Sequence, residues 1–217
     1  MIKFFNTPWA SVPIISIDTE CTGKQPGKDR AVSVGLSRFE NGICVGTFEQ
    51  FVNPGMPISE EAIGVHKITD AMVASAPTIH EVFSMPSVVE LLAGAQPCGY
   101  NSAFDRHFVP PFGDDWTWPW LDALALVRKQ DRYAKGNGRH KLEAACARHG
   151  VTLLEAHSAG ADARAAGELL IKLGRELFPK GYTLGDALGW CRRAEAEEWF
   201  RFNAWLSVQP QREAGAA

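Results

Sequence analysis

The chain has 217 residues, 46% of them hydrophobic and 22% charged, with a formal net charge of −3. That length suits one domain with a small extension, able to bury a core without staples, and the weak charge argues against a protein that coats nucleic acid by phosphate neutralisation alone. Cys21, Cys44, Cys98, Cys146 and Cys191 are odd in number and form no C-x-x-C pair, which argues against a disulfide framework or a zinc site and for a reducing cytoplasm. The opening apolar run is broken by Pro8 and Pro13 and does not read as a signal peptide. No segment approaches the roughly 20 apolar residues of a membrane span.

In chain order, residues 12–18 (VPIISID) form a short, continuously apolar run ending in an acid, the pattern of a central strand buried on both faces. A Gly- and Lys-rich loop covers residues 22–30. Residues 31–39 and 43–52 read as two strands, and Asn41-Gly42 between them predicts an antiparallel hairpin. From Ser59 the pattern turns helical. Ser59 is the predicted N-cap of residues 60–64, and Thr69 that of residues 70–75. Thr78 opens residues 79–94 with Glu81 at the capping-box position, and Pro86 interrupts that run. Residues 96–101 read as a short strand, and 103–109 as a helix start closed by Pro110-Pro111. Asp114 to Trp120 is an aromatic loop, in which packing is the expected role of Trp116, Trp118 and Trp120. Residues 121–130, 140–150 and 159–177 carry apolar residues at helical spacing, with Gly150 as a C-cap. After Pro179, residues 187–206 form an amphipathic helix bearing Trp190, Trp199, Phe200 and Trp205, and residues 209–217 read as a disordered tail. The expected division is a main domain over residues 1–180 and a C-terminal helical extension and tail over 181–217.

Three acidic motifs lie far apart along the chain. Asp18-Thr19-Glu20 ends the buried strand, and strand alternation points both carboxylates to one face. There they repel unless a cation lies between them, and oxygen-ligated magnesium or manganese fits. Solvated acids at a strand end are the alternative. Asn101-x-x-Phe104-Asp105 follows the short later strand, so Asp105 lies one helical turn past the strand end, where sites gather in open α/β sheets; an acid serving the helix dipole is the alternative. His157-x(4)-Asp162 opens the long helix, with the histidine on the preceding loop.

Together, and in this order and spacing, the segments ISIDTECTG, GVHKITDAMVASAPTIHEV, CGYNSAFDRHFV, WLDALALVR, HKLEAACARHGV and HSAGADARAAGELL resemble the DEDDh 3′–5′ exonucleases, among them the proofreading epsilon subunit of bacterial DNA polymerase III and ribonuclease T. The resemblance covers roughly residues 13–177. It implies an α/β, ribonuclease H-like fold with a mixed five-stranded sheet flanked by helices. It matches Asp18, Glu20, Asp105 and Asp162 to the metal-binding acids and His157 to the general base. Cys21 departs from a frequent threonine, and the chain after Pro179 lies outside the match.

The implied chemistry is hydrolysis at a free 3′ end of nucleic acid, single-stranded DNA favoured, releasing nucleoside 5′-monophosphates. Two divalent cations, Mg2+ or Mn2+, about 3.5–4 Å apart would clamp the attacking and leaving oxygens. Asp18 would bridge them, Glu20 and Asp162 complete one site, and Asp105 hold the other. Imidazole, with an ordinary pKa of about 6.5, suits the proton transfer assigned to His157. Thr19, Thr22 and Gly23 belong to the expected substrate set, the last two through backbone N–H groups. His66, Ile68 and Phe104 are expected near the terminal bases, with core packing an equal alternative for Phe104. Asn101 also belongs to the expected substrate set, with ordering of its loop through side-chain bonds the alternative, and Asp122 is expected to be structural. Two basic stretches, Lys24–Lys28–Arg30 and the run from Arg128 to Lys141, are candidates for tracking phosphates. An RNA-trimming enzyme of the ribonuclease T type is one competing reading, and a catalytically silent binding module on the same fold is another. The Trp- and Phe-rich extension offers a contact for a DNA polymerase or a second copy of the chain, and no membrane is expected.

Overall fold

The computed structural model describes residues 4–111 and 119–207, with 201–207 described by their backbone only. The expectations for Trp116, Trp118, the Trp205 side chain and residues 209–217 lie outside the described residues. Five strands form one mixed sheet: β1 (Ile14–Cys21), β2 (Ala31–Glu40), β3 (Ile43–Phe51), β4 (Gln96–Gly99) and β5 (Leu121–Asp122), in the order β3-β2-β1-β4-β5. β2 is antiparallel to both β1 and β3, while β4 runs parallel to both β1 and β5. Asn41 and Gly42 take φ of 52° and 82° and close the β2–β3 hairpin directly between the paired residues Glu40 and Ile43, as the right-handed twist of the strands requires.

β1 is central, and its alternation decides where the acids go. Ile15 and Ile17 enter the core on one face with Val34, Leu36 and Val88. Ile14 enters the core on the other, with Phe39, Leu169 and Leu170. Even-numbered residues share the Ile14 face, so Asp18 and Glu20 open toward the side that the long helix covers.

Helices α1 (Glu60–His66), α2 (Asp70–Val73), α3 (Ile79–Phe83) and α4 (Pro86–Leu92) connect β3 to β4. Ser59 accepts from the Ala62 N–H, and Thr78 and Glu81 complete both halves of a capping box. Thr69 stands at the N-cap of α2 without a side-chain capping bond; its carbonyl, not its hydroxyl, holds the first turn through the Met72 N–H at 3.0 Å. Pro86 interrupts the run as expected: α3 ends at Phe83 and α4 starts at Pro86, where the first helical position has no N–H partner to lose. α5 (Ser102–Asp105) is a single turn, shorter than the expected 103–109. Leu121 and Asp122 are strand, ahead of α6 (Ala123–Gln130); the helical spacing of the run that follows conceals so short an element. α7 (Leu142–His149) ends at Gly150, whose φ is 62°.

α8 (Ala159–Leu177) lies across the sheet with Ala163, Ala165, Ala166 and Gly167 buried beneath it. A Cβ at Gly35 would lie 2.0 Å from the Ala159 carbonyl oxygen, and one at Gly167 would lie 2.2 Å from the Phe39 ring. The absence of side chains at these crossings lets the helix N-terminus reach the sheet. The last helix, α9 (Leu184–Ser207), buries Leu184, Ala187, Leu188 and Cys191 in the same cluster as Ile14 and Leu170. The N-terminal segment straps it: the Leu184 N–H donates to the Thr7 carbonyl at 2.8 Å, and the Trp9 ring packs edge-on to Phe178 at 5.2 Å. All five cysteines are free thiols. Among the described residues no helix is long and apolar enough to cross a membrane.

Candidate active site

Asp18 and Glu20 lie at the C-terminal half of β1, and two other segments bring acids to them. The first is the turn after β4. Asn101 takes a left-handed φ of 67° there. The Asp122 carboxylate accepts from the backbone N–H groups of Asn101 at 3.0 Å, Ser102 at 3.2 Å and Leu124 at 2.8 Å. So Asp122 is structural, as expected, but Asn101 orders the loop through its backbone; its side chain makes no capping bond. The pinned turn sets Asp105 against β1, where its Oδ1 accepts from the Thr19 N–H at 3.0 Å and the Thr19 hydroxyl at 2.8 Å. Thr19, expected in the substrate set, is 6% exposed; it lines the cavity beside the cluster and also holds Asp105.

The second segment is the loop entering α8. Ser158 caps the helix by accepting from the Ala161 N–H at 3.3 Å. His157, exposed and with φ of 68°, donates its backbone N–H to Asp162 Oδ2 at 3.3 Å. One ligand atom from each of Glu20, His157 and Asp162 lies within 4.8 Å of the others. Asp18 lies within electrostatic reach of Glu20, Asp105 and Asp162, so all four acids share one locus with the histidine. The structure adds an acid that sequence reasoning missed. Glu49, on the edge strand β3, accepts from the Ser158 hydroxyl at 3.0 and 3.1 Å and bears electrostatically on Asp18, Glu20 and Asp162. An acid in an alternating edge strand looks like any solvated strand residue, and nothing in the sequence separates it from one.

The electrostatics of the cluster are strained. Burial first, then repulsion from Asp105, Asp162, Glu20 and Glu49, drives Asp18 well above the usual carboxylate range. Burial and neighbouring acids push Glu20 up to about 8. Burial carries Asp105 to about 7 against the two Thr19 hydrogen bonds, and Asp162 to about 6 against the His157 N–H. Asp162 Oδ1 is buried and has no hydrogen-bond partner among the described residues. Repelling acids with an orphaned buried oxygen fit hard divalent cations that take oxygen ligands.

Beside the cluster opens a cavity of about 570 Å³ lined by Glu20, Gly23, Lys24, Glu61, His66 and Phe104, among others. His66 is 7% exposed. Its Nδ1 accepts from the Ile68 N–H at 3.0 Å, which leaves Nε2–H to donate to the Cys21 carbonyl at 3.2 Å. Burial also lowers its pKa, so it lines the cavity as a neutral donor tautomer. Phe104 is on the cavity wall and also packs on Phe108, with ring centroids 4.8 Å apart. Two expectations fail here. Thr22 is on the wall, but its backbone N–H is bound to the Arg30 carbonyl at 2.9 Å and its hydroxyl to Asp29 at 2.9 Å, leaving no N–H for a sugar. Ile68 is 5% exposed in the cluster of Val32, Ile58 and Val73 and does not line the cavity, because β-branched bulk there fills the space under α1 and α2.

An exonuclease family model, RNase_T, matches residues 15–170. A DNA polymerase III subunit epsilon-like protein of Rhodobacter capsulatus is 34% identical over 84% of this chain. The PolC-type DNA polymerase III of Lacticaseibacillus paracasei is 31% identical over 77% of it. The chain spans 26% and 12% of those two proteins. The solved structure of Exonuclease X in complex with 5′ overhanging duplex DNA has the same fold, with a TM-score of 0.65 at 24% identity, over 81% of this chain and 99% of that one. With the family model spanning most of its length, the chain belongs to the DEDDh 3′–5′ exonuclease family.

Proposed function

We propose that this protein removes mononucleotides from the 3′ end of nucleic acid, with single-stranded DNA favoured, by hydrolysis at the Asp18–Glu20–Asp105–Asp162 cluster. The observation that carries the reading is the convergence of those acids, from three separate segments, on one locus beside an open cavity. Asp18, Glu20, Asp105 and Asp162 would hold two divalent cations, magnesium or manganese. Bound there, the cations would neutralise the phosphate oxygens and the charge that develops on attack.

The chain's own groups do the rest. His157 takes the proton of the attacking water; its exposed ring stands next to Glu20 and Asp162, open to solvent. The Asp162 carboxylate, bonded to the His157 backbone N–H, keeps that loop in place. Gly23 and the His66 ring line the space for the terminal nucleoside, and Phe104 offers a ring for its base, a stack worth about 1–3 kcal/mol. The outward-facing Trp199 and Phe200 of α9, 61% and 67% exposed, suit a contact with a polymerase or a second copy, and light scattering of full-length and tail-truncated protein tests it.

Matched DNA and RNA strands labelled at the 5′ end decide the reading. With magnesium or manganese the products are 5′-mononucleotides and a ladder shortening from the 3′ end, faster on DNA, and chelator stops it. Faster trimming of RNA would support the ribonuclease T type instead. Undigested strands that still bind would indicate a silent module.

A further inference from the structure

The two basic stretches differ in how the fold uses them. In the first, Lys24 is paired with Glu61 at 2.6 Å and Arg30 donates to the Pro54 carbonyl at 3.1 Å. The second runs from Arg128, in α6, to Lys141, at the start of α7. It carries Arg128, Lys129, Arg132, Lys135, Arg139 and Lys141 against one acid, Asp131. That acid is held by Arg148 at 2.6 Å and His149 at 3.1 Å, both outside the stretch. Among the described residues no ion pair joins Arg132, Lys135, Arg139 or Lys141 to a carboxylate, and all four are exposed.

An aromatic ring sits among these charges. Tyr133 is 79% exposed, and the Arg132 guanidinium lies 4.8 Å from its ring centroid. Open aromatic faces interleaved with cations are the surface on which single strands stack. The stretch is also anchored at the site. The Tyr100 hydroxyl, next to the Asn101 turn, donates to the His140 carbonyl at 2.7 Å. Glu143, in the first turn of α7, lies within electrostatic reach of Asp162. A chain with net charge −3 and a cluster of acids at its site repels phosphates, so a local field of opposite sign beside the site has a defined use.

We infer that residues 128–141 form an arm that holds the strand upstream of the terminal nucleotide, its cations on successive phosphates and Tyr133 against a base. The inference rests on the exonuclease reading, and it is tested apart from it. A labelled oligothymidylate is titrated at several salt concentrations, with chelator present so that it is not digested. For the combined variant Arg132→Gln, Lys135→Gln and Arg139→Gln, affinity at low salt falls about tenfold or more and the salt slope shrinks by about 2, at about 0.7 for each phosphate left without its cation. Tyr133→Ala weakens binding about fivefold or more with the slope unchanged. Hydrolysis of the p-nitrophenyl ester of thymidine 5′-monophosphate, which has no upstream phosphate, stays within about twofold of wild type in both variants. Equal salt slopes in the combined variant and wild type would overturn the arm, and so would an equal fall in activity on the small ester. If wild type leaves the ester intact but binds the strand with an arm-dependent slope, the exonuclease reading falls and the arm stands.

Discussion

Four carboxylates held against one another need a reason, because burial and mutual repulsion both favour the protonated forms. In the cation-free protein, Glu20 titrates at about 8 against an ordinary 4.5, and Asp162 at about 6 against 3.8. Between those values the folded protein keeps protons that the unfolded chain releases, so stability falls as pH rises. The melting temperature in chelator is therefore expected to drop from pH 5 to pH 8, by about 2–4 °C per kcal/mol lost in a chain of this size; manganese should restore it most at pH 8. A flat profile in differential scanning fluorimetry would contradict the assigned repulsion. Glu49 acts at one remove, through the Ser158 hydroxyl and the loop bearing His157. Glu49→Ala should lower kcat on a short strand by about 10- to 100-fold, with KM little changed, because misplacing the base proposed at His157 would cost that much; Glu49→Gln, which keeps an acceptor, should recover most of it, and an equal fall in both variants would contradict the hydrogen-bonding role. The acids and histidine of the three motifs were legible because each sits at a pattern boundary: the end of an apolar run, the turn after a short strand, the loop before a long helix. Glu49 was not, and neither was the role of Thr19, whose bond to Asp105 spans 86 residues of sequence and leaves no local trace. Ile68 and the Thr22 N–H were misplaced because the order of side chains around a pocket depends on how α1 settles onto the β1–β2 loop.

At the scale of elements, the site exists because α8 comes down close onto β1 and β2. Gly35 sets that approach, since a methyl there would meet the Ala159 carbonyl at 2.0 Å. Gly35→Ala should push the helix N-terminus off the sheet, destabilise the fold by about 1–3 kcal/mol as overpacking does, and reduce activity out of proportion by moving Asp162 and His157. Urea denaturation beside kcat/KM checks this; a variant with wild-type values for both would show that the contact is loose. Asp122 does the corresponding work at the β4 turn. Asp122→Ala strands the N–H groups of Asn101, Ser102 and Leu124, and at about 1–3 kcal/mol for each buried unsatisfied group it should cost several kcal/mol of stability in urea denaturation. Strand and helix patterns revealed the β2–β3 hairpin, the capping box of α3 and the long α8 in advance. They hid β5, two residues long, because its pairing with β4 is decided by tertiary contact and the residues after it are strongly helical.

At the scale of the molecule, the core does not stop where the family match stops. The family model ends at residue 170, yet Leu184 and Leu188 of α9 are 0% and 1% exposed within the same cluster as β1, and the N-terminal strap closes over them. Leu188→Ala should therefore cost about 2–5 kcal/mol of stability while leaving turnover of a small nucleotide ester unchanged; a loss of stability under about 0.5 kcal/mol would place α9 outside the cooperative unit. The core that α9 joins thus supports a strained cluster of acids at one end of the sheet, and under the proposed function bound cations would relieve that strain. The sharpest test of that claim is the thermal melting of wild type and Asp18→Asn in chelator and in manganese, alongside digestion of a labelled strand. The account predicts that the variant melts higher than wild type in chelator, gains little from manganese and digests nothing. A variant that melts no higher in chelator, gains as much from manganese as wild type and still shortens the strand would contradict it.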